Sequence, residues 1–250
     1  PVGYALQQVR LTPITNSQQT VHNWHLDIEG GEAELSYLDQ HKNQTTLVQA
    51  TPGVTQVKFT AHGEVETNDT AGVLGRVYGK APLWLFQQQT ERTAPGKNVR
   101  MLAKTLSGSD DEVAKLHALS SEILKAVPYG EANTFTGTTA EEALLGGGGV
   151  CQDHAQIFIS VARLVGIPAR YVSGYLMMND RIEQDASHAW AEAHLDGLGW
   201  VGFDVSNGIS PDERYVRLAT GLDSLEAAPI SGVRQGNANE SMIVSLQVQQ

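Results

Sequence analysis

The 250-residue chain carries a formal net charge of −11, with 41% hydrophobic and 18% charged residues and a single cysteine. Such acidity argues against nucleic acid or an anionic membrane face as partner, since both select basic surfaces. One thiol excludes an internal disulfide, and no apolar run approaches the roughly 18–20 residues that span a bilayer.

Pro1-Val2-Gly3-Tyr4 has neither a basic nor an apolar signal region, so no secretory leader is expected there. A start at Pro1 fits removal of an initiator Met or trimming of a longer precursor. A lone free thiol suits a reducing compartment, and a cytoplasmic location is expected.

Residues 1–75 read as strands. Val21 to Ile28, Glu34 to Tyr37 and Gln56 to Ala61 alternate with period two, the pattern of half-buried strands. Glu29-Gly30-Gly31, Asp39 to Asn43 and Thr51-Pro52-Gly53 punctuate them as turns. Short strands so spaced predict a small antiparallel sandwich. Residues 76–97, with Pro82 and Pro95-Gly96, read as an irregular crossover. Helical spacing follows in Val99, Leu102, Ala103 and Leu106. A second helix, with Ser109-Asp110 as its cap, carries Val113, Leu116, Leu119, Ile123 and Leu124 and ends at Pro128.

The glycine run Gly146 to Gly149 leads into Val150-Cys151-Gln152-Asp153-His154 and then an apolar helix stopped by Gly166-Ile167-Pro168. Cys151 therefore falls in the first turn of a buried helix. Free N–H groups and the positive dipole end favour a thiolate there. The position alone serves a buried structural cysteine and a reactive one equally.

Arg170 to Leu176 reads as a strand, and Ser187 to His194 as a second. The second places His188, Trp190, Glu192 and His194 on one face and Ala189, Ala191 and Ala193 on the other. Leu195-Asp196-Gly197 reads as a hairpin loop. A three-residue loop pairs His194 with Leu198 and His188 with Asp204 on one face; a two-residue turn separates the two faces. A thiol nucleophile needs a base and a group that orients the base, and Cys151, His188 and Asp204 supply those residue types in order.

Gly149 to Asp153, Ser187 to Glu192 and Trp200-Val201-Gly202-Phe203-Asp204 resemble the three motifs of the transglutaminase-like superfamily of papain-fold thiol enzymes. Ile167 to Tyr175 is similar to the strand between the first two. Arg10-Leu11-Thr12-Pro13, Gln19 and Trp24 resemble the β-rich region before this domain in bacterial members. The resemblance implies an α+β fold: a papain-like core on 98–250, with the cysteine-bearing helix packed on an antiparallel sheet, behind a β-sandwich on 1–75.

It further implies Cys151 as nucleophile, His188 as base and Asp204 as orienting partner, passing through an acyl-enzyme. The amide of Cys151 would be one oxyanion donor and Tyr129 or Gln152 a second, with simple packing as the other reading of that pair. Trp190 and Glu192 would line the site, or Trp190 fill core. Asp204-Val205-Ser206-Asn207 departs from the family's Asp-Pro-Thr-Asn, and His154 stands where an aromatic is common.

The expected partner is a protein or peptide presenting an amide or glutamine side chain. Hydrolysis of peptide or isopeptide bonds is preferred over crosslinking, because no acceptor site that excludes water is identified; deamidation is kept as an alternative. An inactive scaffold is the rival class. A zinc site from Cys151, His154, His188 and His194 lacks a second cysteine pair or His-x-x-x-His, and no twelve-residue calcium loop is present; no metal or cofactor is expected.

Overall fold

The structure, a computed structural model, describes residues 4–76, 81–106, 111–130, 134–178, 182–184, 186–235 and 241–249. The chain opens with β1 (Tyr4–Thr12), β2 (Gln19–Glu29), β3 (Gly31–Leu38), β4 (Gln44–Ala50), β5 (Lys58–Thr67) and β6 (Val73–Gly75). A 3-10 turn (Leu83–Gln87) precedes α1 (Lys97–Ala103), α2 (Glu112–Ala126), α3 (Ala140–Gly146) and α4 (Cys151–Leu164). Strands then follow: β7 (Ala169–Leu176), β8 (Glu183–Gln184), β9 (His188–Leu195), β10 (Gly199–Phe203), β11 (Tyr215–Gly221), β12 (Ile230–Gln235) and β13 (Leu246–Gln247).

The predicted cap of α2, Ser109-Asp110, lies outside the described residues; the side chain of Asp111 takes the role by accepting the Ala114 N–H. A carboxylate fits there because the first helical N–H groups lack carbonyl partners.

The core is a five-stranded antiparallel sheet, ordered β11-β7-β9-β10-β6. The alanines of β9 and Ala169 and Tyr171 of β7 face the helices, joining Ile157, Phe158, Val161 and Ala162 of α4 in one buried cluster. Small side chains at Ala189, Ala191 and Ala193 let α4 lie close to the sheet, which draws its first turn toward the start of β9. Burying each large apolar side chain contributes about 1.5–3 kcal/mol.

The N-terminal strands form a four-stranded sheet, ordered β12-β1-β4-β3, and a two-stranded ribbon of β2 and β5. The two halves exchange strands. β6 pairs with β10 in the core sheet, while β12 returns to pair with β1. Two side-chain amides then cover the open edge of β11. Gln19 donates to the Arg217 carbonyl at 3.0 Å and accepts its N–H at 2.8 Å. Asn43 does the same for Thr220, at 2.7 and 2.8 Å. An unpaired strand edge exposes polar backbone; here two amides complete it without adding a strand. Arg10 and Trp24, the other N-terminal residues of interest, also bond to backbone: Arg10 to Ala228 O and Trp24 to Leu11 O.

Candidate active site

α3 ends at Gly147, whose φ of +65° closes the helix in the left-handed conformation that glycine takes freely. Gly149 is required for a different reason. A Cβ there would stand 2.9 Å from the Asp153 Cβ and 3.2 Å from Val127. The approach lets Asp153 Oδ2 accept the Val150 N–H at 2.9 Å, capping α4 from within. Cys151, half-buried, is the first residue of that helix. First-turn N–H groups without carbonyl partners and the positive dipole end surround its thiol.

His188 opens β9. The hairpin loop has the three residues expected, but one position later: Leu195 pairs with Gly199 and His194 with Trp200. Positive φ at both Gly197 and Gly199 allows the turn to close there. The face shared by His188 and Asp204 survives, because a two-residue change in pairing preserves parity. The direct pairing of the two does not, and Asp204 sits diagonally from His188.

The diagonal is bridged by side chains. His188 Nε2 lies 2.6 Å from Asp204 Oδ2, which leaves Nδ1 as the nitrogen available to the thiol of Cys151, a group that raises the ring's pKa together with Asp204. The same Oδ2 accepts the Tyr215 hydroxyl and Asn207 Nδ2, each at 2.7 Å, and Oδ1 accepts the Asn207 N–H at 3.3 Å. Asp204 is 1% exposed. Burial alone would raise its carboxyl, but the donors His188, Asn207 and Tyr215 hold it below the ordinary range. For His188, burial works against the charged ring, yet the hydrogen bonds and charges of Asp204 and Cys151 prevail and raise it well above the ordinary value.

The surrounding residues divide by placement. Trp190 is buried, stacked 6.3 Å from the His188 ring and edge-on to Tyr215 at 5.4 Å. It forms the wall that holds the imidazole. Glu192 is drawn away from the thiol, between Arg170 and Arg217. Tyr129 is largely exposed, with its ring edge-on to His154 at 6.1 Å and its backbone bridged to Gly149. Gln152 directs its side chain to Thr136 O at 3.4 Å.

His154 is a tie rather than a ligand. Nε2 donates to Val127 O at 2.7 Å, so Nδ1 accepts the Ser206 hydroxyl at 2.8 Å. Burial lowers its pKa and keeps this tautomer neutral. With those bonds made and His194 at the other end of β9, the residues of the zinc reading are not gathered. Among the described residues no group of three or more His, Cys, Asp or Glu could hold a metal.

Asn207, Tyr215 and Ser206 escaped the sequence reading. Asn207 had a local signal, an Asp-x-x-Asn spacing that permits an Asx-type turn. Tyr215 had none, for it reaches Asp204 across the sheet from β11.

Residues 100–205 match the transglutaminase-like superfamily model, and residues 1–66 match the bacterial transglutaminase-like N-terminal region. An uncharacterized protein of Mycobacterium leprae is 25% identical over 99% of this chain and 93% of its own length. An uncharacterized protein of Mycobacterium tuberculosis is 36% identical over 52% of this chain, and the match spans 45% of that relative. The crystal structure of a candidate cysteine protease from Cytophaga hutchinsonii aligns over 100% of this chain and 87% of its own, with a TM-score of 0.77 at 21% identity. At that identity the likeness is one of fold.

Proposed function

From the premise that this chain belongs to the transglutaminase-like superfamily of thiol enzymes, we propose that it cleaves amide bonds through an acyl-enzyme on Cys151. The observation that carries the reading is the imidazole of His188, held by Asp204 on Nε2 and, with Asp204 and Cys151 acting on it, raised well above its ordinary pKa. In the first step His188 Nδ1 takes the thiol proton and Sγ bonds to the substrate carbonyl carbon. The oxyanion rests on the amide of Cys151, with Tyr129 or Gln152 as the second donor. Collapse breaks the C–N bond, and the departing amine takes the proton from His188. Water, deprotonated by the same ring, then releases the acid and restores the thiol.

Asp204 stabilises the imidazolium and fixes the ring orientation without itself taking the proton. Its depressed carboxyl and three donors suit that role. The substrate class is a protein or peptide amide, and the compartment proposed is the cytoplasm.

The test is the rate of Cys151 alkylation by iodoacetamide as pH is varied. Wild type should label rapidly at neutral pH, and His188→Ala should label at least about tenfold more slowly. Cys151→Ala should take up no label. Equal rates in wild type and His188→Ala across the range would overturn the reading.

A further inference from the structure

Further along β9, two guanidiniums converge on one carboxylate. Arg170 Nε donates to Glu192 Oε2 at 2.7 Å, and Arg217 Nη2 pairs with Glu192 Oε1. All three side chains are at least nine-tenths buried. Two cations against one anion leave one positive charge out of water, a strongly unfavourable state unless a further anion is supplied. Burial accordingly lowers Arg170 to about 9, and burial together with the charge of Arg170 lowers Arg217 well below the ordinary guanidinium value.

Arg170 lines a cavity of about 470 Å³. The Trp200 ring lies 3.9 Å beneath its Cζ and fixes the guanidinium plane. Its one side-chain hydrogen bond among the described residues is the Nε bond to Glu192, so both Nη groups are left for a ligand. Among the described lining residues, Lys42 and Arg76 add two more cations, against the single carboxylate of Asp196. His41 also lines the cavity, with a side chain 1% exposed; its Nε2 lies 3.0 Å from Glu226, and among the described residues neither ring nitrogen makes a hydrogen bond of good geometry. On a chain of net charge −11, this local excess of cations stands out. The cavity is separate from the thiol: its His194 lies six residues along β9 from His188, roughly 20 Å by strand rise.

We propose that this cavity binds a small oxyanion-bearing ligand, a carboxylate or a phosphate, on the fork of Arg170 with Arg76 and Lys42. A planar guanidinium presents parallel N–H groups that match two oxygens of either anion, and Phe86 and Leu195 provide an apolar wall for the ligand's body.

The test uses the intact chain and two ligands in separate arms, inorganic phosphate and butyrate, each against chloride at equal ionic strength. Calorimetric titration should show saturable binding in at least one arm; phosphate alone assigns a phosphate ligand, and butyrate alone a carboxylate. Arg76→Gln, at an exposed position, should weaken the affinity by about tenfold, the effect of one charge-assisted hydrogen bond, and leave Cys151 alkylation unchanged. Arg170→Lys, which keeps the charge and loses the fork, should weaken it too. Absence of saturation in both arms, or affinity untouched by Arg76→Gln, would overturn the proposal whatever chemistry Cys151 performs.

Discussion

Replacing Tyr215 by Phe removes one oxygen atom from the network around Asp204 and little else. The ring keeps its contacts with Trp190 at 5.4 Å and His188 at 5.9 Å. The lost bond is a hydroxyl donating to a buried carboxylate at 2.7 Å, a type worth about 1.5–3 kcal/mol. Because His188 and Asn207 still donate to the same oxygen, the lower end applies, about 1.5 kcal/mol. For a chain of this size that lowers Tm by about 3–6 °C, readable by circular dichroism at pH 7. The pH dependence has a definite sign. A carboxyl held below its ordinary 3.8 in the fold stabilises above that value, and the contribution disappears as pH falls through the folded value. The gap between wild type and Tyr215→Phe should therefore be full at pH 7 and close below about pH 3.8. A variant melting with wild type at pH 7, or a gap independent of pH, would refute the assignment of Tyr215 as a donor that holds Asp204 ionised.

Two other substitutions probe the frame of the site. His154→Ala strips Val127 O of its donor and empties a buried position, so urea denaturation should show a loss of about 2–4 kcal/mol. Since burial holds His154 neutral, wild-type stability should also decline as pH falls below 6.5, a decline the variant lacks. Gly174→Ala puts a methyl against Val216 O and 2.7 Å from the Trp190 ring; it should cost about 1–3 kcal/mol and slow Cys151 alkylation by shifting the wall behind His188.

What was legible in the sequence was what depends on near neighbours along the chain. The start of α4, the alternation of β9 and the polar residue after β10 each show in a window of a few residues, and together they place Cys151, His188 and Asp204. The hairpin register did not, since Gly197 and Gly199 admit closure at either of two positions and only cross-strand packing selects one. β1 and β4 went unassigned because Gln7-Gln8 and Gln44-Thr45-Thr46 interrupt a clean apolar alternation. The bonds of Gln19 to Arg217 and Asn43 to Thr220 span 198 and 177 residues. No local pattern encodes such a pair: an amide that completes a distant strand edge looks, in sequence, like any polar residue near a turn.

The pairing of β1 with β12 has a consequence for how the chain is made. β1 leaves the ribosome more than 220 residues ahead of its partner at 230–235. At about 5–20 residues per second, the interval between them is tens of seconds at the slow limit. Through that interval β4 protects one side of β1 while the other lies open to any passing strand. Conditions that slow translation should then favour aggregation through that edge, and a chain cut short before residue 230 would carry the open edge permanently.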